Sequence, residues 1–223
     1  MERNLLRTDP DRIVSNRSLA KFAVDRARPL YARDCAACHA DLHGNPAKGI
    51  PDLTDGEWLY GAGSVAEIER TITYGIRSGR PKSWNLADMP GYGRALPYAR
   101  FEIPSLTPGE IRDVVQHILS IQGRPSDTDA SRRGAELFAG KGICFDCHSN
   151  DGEGDSAIGA PSLISTVRLY GDDSPEALFN SIARGHRGIC PGWSKGRDPV
   201  GIRALAVYVY FASHPAERTA SSE

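Results

Sequence analysis

Methionine is nearly missing from this chain of 223 residues: there are two, and since one is Met1, Met89 is the only internal thioether. No apolar run approaches the roughly 18 residues that a membrane-spanning helix requires. No short apolar core follows Met1 in the manner of a secretory signal. An excess of one charge is also lacking. With 27 Lys and Arg against 28 Asp and Glu, the net charge of −1 offers nucleic acid no basic footprint. The five cysteines are an odd number, which argues against a disulfide framework. Aromatic residues make up 8% of the chain, so domains of about 100 residues would bury only a modest core of their own.

Four of the five cysteines fall into two copies of one pattern, Cys35-Ala36-Ala37-Cys38-His39 and Cys144-Phe145-Asp146-Cys147-His148. Two thiols at this spacing can each form a thioether to a haem vinyl group, while the next residue turns its imidazole to the iron. Two covalently attached haems c are therefore expected, with Cys35, Cys38, Cys144 and Cys147 as attachment points and His39 and His148 as proximal ligands. A zinc site needs four ligands, and neither half offers a second Cys or His pair nearby. A thioredoxin-like redox pair needs a strand before it, and each motif instead follows a helix-like segment.

Along the chain, residues 1–24 read as an arm with Arg3, Arg7, Arg12, Arg17 and Lys21 set among Leu5, Leu6, Ile13 and Val14; it is taken as a solvated packing arm without chemistry. A helical stretch from Asp25 leads into the first motif. Ser64 with Glu67 three residues on has capping-box form, and the following helix stops near Gly75. A loop rich in Gly, Pro and Arg runs from Ser78 to Thr107. There Thr107, Pro108 and Glu110 start a helix whose residues Ile111, Val114, Val115, Ile118 and Leu119 form one apolar stripe. After a polar linker the pattern returns at an offset of about 110 residues, which aligns Pro161-Ser162-Leu163 with Pro51-Asp52-Leu53 and Leu169-Tyr170-Gly171 with Leu59-Tyr60-Gly61. The offset shrinks to about 100 at Cys190-Pro191 against Met89-Pro90, so the second copy has a shorter loop there. Two all-α cytochrome c domains are expected, at 25–126 and 127–216, with a tail at 217–223.

A low-spin electron-transfer haem also needs a distal ligand, usually a methionine. Met89, in an irregular loop, is the candidate for the first haem. The second half has no methionine, and Cys190 stands in the aligned place before proline, with His186 and Lys195 as nearby alternatives. Arg77 and Arg187 occupy equivalent positions beside the two ligand loops and suit hydrogen bonds to haem propionates. His43, His117 and His214 are read as packed or surface histidines.

The runs Leu53-Thr54-Asp55-Gly56-Glu57-Trp58-Leu59-Tyr60-Gly61, Gly75-Ile76-Arg77-Ser78-Gly79, Met89-Pro90-Gly91-Tyr92-Gly93-Arg94 and Gly134-Ala135-Glu136-Leu137-Phe138-Ala139 closely resemble the di-haem cytochrome c subunit of cbb-type haem-copper oxidases. The resemblance covers about Leu19 to His214. It implies a subunit held by an N-terminal membrane helix, relaying electrons from a soluble donor or a quinol-oxidising complex toward the oxidase, with His and Met on both irons. The family's second Met-Pro-Ala-Trp element stands here as Cys190-Pro191-Gly192-Trp193. A periplasmic electron carrier with redox-protein partners is thus expected rather than a stand-alone enzyme, and no residue is assigned a catalytic role. The missing membrane helix and signal are read as a trimmed chain, or as a soluble relative lying near the membrane through its partner. The alternative is a di-haem oxidoreductase with a His/Cys-ligated catalytic haem, as in thiosulfate dehydrogenases.

Overall fold

In a computed structural model of the chain, which describes every residue except 95, 99, 100, 104, 173, 195 and 221–223, the apolar stripes form helices in two compact units. One unit comprises Met1–Asn85 and Gly188–Glu223, the other Leu86–Arg187.

The discontinuous unit begins with α1 (Glu2–Arg7) and α2 (Arg17–Asp34), followed by the one-turn α3 (Ala36–His39) and by α4 (Val65–Tyr74). Helix α2 starts well before Asp25 because the Asn16 side chain accepts from the Leu19 backbone N–H, satisfying a first-turn donor that has no helical partner. The arm expected at 1–24 is therefore part of the fold. Leu5 and Ile13 are fully buried and anchor it. The capping box at α4 forms as expected, with the Glu67 carboxylate returning to the Ser64 N–H at 3.1 Å.

What closes this core comes from the far end of the sequence. Helix α9 (Pro199–Ser213) packs against α2 and α4, burying Val200, Ile202, Ala204, Leu205, Val207, Val209 and Phe211. The small residues Ala20, Ala23 and Ala27 on α2 and Gly201 and Ala204 on α9 let the two backbones approach closely, and a Cβ on Gly201 would lie 3.1 Å from Leu30 Cδ1. Because α9 is apolar around most of its circumference, it is stable only when surrounded. Its last neighbour is α10 (Pro215–Ala220), which covers the start of the expected tail.

The continuous unit opens with the Met89 loop, which carries a short antiparallel hairpin, β1 (Leu96–Tyr98) and β2 (Phe101–Ile103), where only loop was expected. Helix α5 (Pro108–Ile121) follows, with the expected capping box at Thr107 and Glu110. Its stripe of Ile111, Val114, Val115, Ile118 and Leu119 packs against α6 (Thr128–Ala139) and α8 (Pro175–Arg184), and the one-turn α7 (Phe145–His148) carries the second motif. Gly134 permits the α5–α6 contact, since a Cβ there would lie 2.0 Å from the Asp113 carbonyl oxygen.

The units thus cut across the boundaries expected at 25–126 and 127–216. Each takes its closing helix from the other sequence copy: α9 completes the unit that holds Cys35, and α5 completes the unit that holds Cys144. No described helix is long and apolar enough to cross a membrane.

Candidate haem sites

Both Cys-x-x-Cys-His motifs are one-turn helices in which the histidine N–H bonds back to the carbonyl of the first cysteine, at 2.9 Å for His39 and 3.0 Å for His148. This turn brings two thiols and an imidazole to one side of the chain. His39 Nδ1 lies 3.2 Å from the Pro51 carbonyl oxygen, and His148 Nδ1 lies 3.0 Å from that of Pro161. A carbonyl only accepts, so each Nδ1 carries the proton and each Nε2 keeps a lone pair for a metal. Burial lowers the pKa of both imidazoles, opposed by those same proline hydrogen bonds, and favours the neutral form that ligation needs.

The thiols suit covalent attachment. Burial pushes Cys35 up to about 11, with Asp34 and Cys190 adding to the rise, and pushes Cys144 up to about 12, opposed by its own backbone N–H and the Tyr92 side chain. A thioether removes this ionisation altogether. Among the described residues no group of three or more His, Cys, Asp or Glu side chains is placed to hold a metal ion. The donor set therefore fits haem c: two thiols at the spacing for thioethers and an iron ligand fixed in one tautomer.

The distal loops are exchanged relative to the sequence reading. Cys190 belongs to the unit of Cys35, Cys38 and His39, where it pairs with Ile76 through Ile76 N–H to Cys190 O at 2.9 Å and Cys190 N–H to Ile76 O at 3.0 Å. Burial pushes the Cys190 thiol up to about 11, and the neighbouring Cys38 adds to that rise. Met89 belongs to the unit of Cys144, Cys147 and His148. It pairs with His186 through bonds of 3.1 and 2.9 Å and packs against the core cluster built on Tyr92, Leu106, Ile111 and Phe138, the same cluster that Cys144, Leu163 and Phe179 pack against. Each loop passes over a glycine at positive φ. A Cβ on Gly75 would lie 2.3 Å from the Cys190 carbonyl oxygen, and one on Gly185 would lie 2.4 Å from that of Met89. The aligned glycines are thus where each copy receives the other copy's loop.

Of the alternatives to Cys190, Lys195 lies outside the described residues. His186 stacks on Tyr170, with ring centroids 3.5 Å apart, in the unit of the second motif. Its buried Nε2 has no hydrogen-bond partner among the described residues, a vacant donor or acceptor that a haem propionate would satisfy. The two arginines expected at propionates are otherwise engaged: Arg77 donates to Gly188 O at 2.6 Å and to the Tyr60 hydroxyl at 3.0 Å, and the exposed Arg187 lies 3.6 Å from Asp88. His43 pairs with Asp52 at 3.0 Å, His117 meets Phe138 edge-on and His214 stacks on Tyr210, as packed or surface histidines would.

Residues 24–122 match the family described as cytochrome c, and residues 129–209 match that described as cytochrome C oxidase, cbb3-type, subunit III. The chain is 34% identical over 219 residues to the cbb3-type cytochrome c oxidase subunit CcoP of Rhodobacter capsulatus, covering 94% of this chain and 69% of that one. The chain belongs to the CcoP/FixP family. Other relatives include the FixP subunit of Azorhizobium caulinodans, 35% identical over 199 residues and 89% of this chain, and the CcoP subunit of Cereibacter sphaeroides, 30% identical over 94% of it. The chain spans 62% of the length of that FixP protein and 59% of its counterpart from Bradyrhizobium. As in the CcoP/FixP family, it carries two covalently bound haems c on all-α cytochrome c folds. All these relatives are oxidase subunits, so the thiosulfate dehydrogenase alternative finds no support among them.

The intact mass of the holoprotein is expected to exceed that of the polypeptide by two haems, and replacing Cys144 and Cys147 by Ser to remove one of them. An excess of one haem or none in the unmodified protein would contradict the two-site assignment.

Proposed function

We propose that this CcoP/FixP-family chain carries single electrons, at the periplasmic side of a membrane, from a redox-protein donor to a cbb3-type oxidase. We propose further that Cys190 is the distal ligand of the first haem and Met89 that of the second. The observation that carries this reading is the exchange of the loops, with Cys190 in the unit of Cys35 and Cys38, and Met89 in the unit of Cys144 and packed on the same core cluster as that cysteine. The relatives bear the name of that oxidase's subunit, and the chain's covered length includes both attachment motifs.

Each haem supplies a one-electron ferric/ferrous couple. The chain's own residues set where that couple rests. His39 and His148, held by proline carbonyls, present a fixed neutral nitrogen. A Met89 thioether favours the ferrous state, while a Cys190 thiolate, held deprotonated by the adjacent cation, favours the ferric state. The two sites would then differ in potential, with the Met89 site the higher, so that at equilibrium an electron would favour the Met89 site over the Cys190 site.

Reduced holoprotein mixed with membranes containing a cbb3-type oxidase should be reoxidised in an oxygen-dependent reaction that cyanide blocks. Persistence of the reduced spectrum beside an oxidase that is active with another donor would overturn the proposal.

A further inference from the structure

The segment between Arg77 and Met89 is the longer loop of the first copy, and little of it has an equivalent in the second, where Arg187 is followed almost at once by Cys190. Its structure has a definite form. Trp84 pins it to α4, donating from Nε1 to the Thr71 hydroxyl at 2.9 Å and stacking on Tyr60 with ring centroids 5.1 Å apart. Ser83 Oγ and the Trp84 N–H both bond to the Gly75 carbonyl oxygen at 3.1 Å. The segment thereby holds two guanidinium groups against the Cys190 turn.

Arg77 Nε donates to the Gly188 carbonyl oxygen at 2.6 Å, two residues before Cys190. Arg80 donates to the Gly192 carbonyl oxygen at 2.8 Å, two residues after it, and to Ser194 Oγ at 2.7 Å. The Arg80 stem lies where a Gly192 side chain would stand, 2.8 Å from the position of its Cβ. Carbonyls on both flanks of the cysteine are therefore held by charged donors, which make the stronger class of hydrogen bond. Arg187, the counterpart of Arg77, is paired at 3.6 Å with the exposed Asp88 carboxylate instead of a backbone carbonyl.

We infer that Arg77 and Arg80 are positioning residues that clamp the Cys190 turn, keep its sulfur on the first iron and so close that site to outside ligands. The inference rests on the proposed ligation of the first haem by Cys190. A distal ligand on a loosely held loop leaves the iron open for part of the time, and an external ligand binds in proportion to that open fraction. Removing the charge-assisted hydrogen bonds to the two flanking carbonyls from the closed state should raise that fraction by about tenfold or more.

The test uses the holoprotein and cyanide as the external ligand, with the two haems told apart by their ferric EPR signals. In the double variant R77Q/R80Q, cyanide should bind the first haem with about tenfold higher affinity, while the second haem is unchanged. R80K, which keeps the charge and one reachable carbonyl, should fall between this variant and the unmodified protein. S194A removes a single bond and tests the same clamp if the double variant fails to retain its first haem. Unchanged cyanide affinity at the first haem in R80K and S194A, and in the double variant if it keeps both haems, would overturn the clamp. Failure of the underlying reading looks different: in that case C190M itself leaves the EPR signal of the first haem unaltered.

Discussion

Replacing Cys190 by Met is expected to raise the potential of the haem attached at Cys35 and Cys38, not of the haem attached at Cys144 and Cys147. With Cys190 as the proposed ligand, the change would exchange an anionic thiolate for a neutral thioether, which withdraws stabilisation from the ferric state. Axial-ligand choice spans about 0.8 V across haem proteins, and a shift of roughly a few tenths of a volt is expected here. Met and Cys both carry soft sulfur, and the Cys190 backbone is tied to Ile76 in both directions, so the turn itself should survive. A redox titration followed at two wavelengths measures the result. The same substitution should convert the thiolate-type low-spin ferric EPR signal into that of a His/Met haem. A rise confined to the haem at Cys144 and Cys147 would reverse the loop assignment.

Met89→Ala should remove the sulfur-to-iron charge-transfer band in the near infrared and lower the higher of the two potentials, both at the second haem. The proposed assignment follows from Met89 packing on the same core cluster as Cys144, and from Tyr92, three residues on, whose side chain hydrogen-bonds Cys144. Tyr92 and Gly93 also donate backbone hydrogen bonds to Ile182 and Ala183 on α8, at 2.9 and 3.0 Å, so the loop stays seated when its ligand is lost. The second haem should then be open to carbon monoxide while the first keeps its spectrum. Survival of the near-infrared band in Met89→Ala would show that the thioether is not its source.

Much of this was legible in the residues. Cys-x-x-Cys-His identifies its own cofactor, because thioether formation and histidine ligation require that spacing. The boxes at Ser64 and Thr107 announced α4 and α5, since a polar cap and its returning glutamate satisfy specific orphan N–H groups. Partner choice was not legible. The stripe of Ile111, Val114, Val115, Ile118 and Leu119 and that of Ile202, Leu205, Ala206 and Val209 each demand burial, but an apolar stripe does not say which helix it meets. Two similar copies make both closures chemically acceptable; in the structure Ala204 of α9 shares one core cluster with Ala20, Ala23 and Ala27 of α2, and a Cβ on Gly201 would lie 3.1 Å from Leu30 Cδ1. The assignments of Met89 and Cys190 moved with those helices. The anchoring of the arm had no local signal for another reason: Leu5 and Ile13 lie eight positions apart with mostly charged and polar residues between the pairs Leu5-Leu6 and Ile13-Val14, too widely spaced to register as a stripe, yet both are fully buried. The clamp by Arg77 and Arg80 joins residues more than 100 positions apart and has no local signature at all.

The most direct measurement is an EPR-monitored redox titration of the holoprotein in which Cys144 and Cys147 are replaced by Ser, so that only the haem at Cys35 and Cys38 remains. The exchanged loops predict a thiolate-ligated low-spin ferric signal, the lower of the two native potentials and no near-infrared thioether band. A His/Met signal at the higher potential from that single haem would contradict the account.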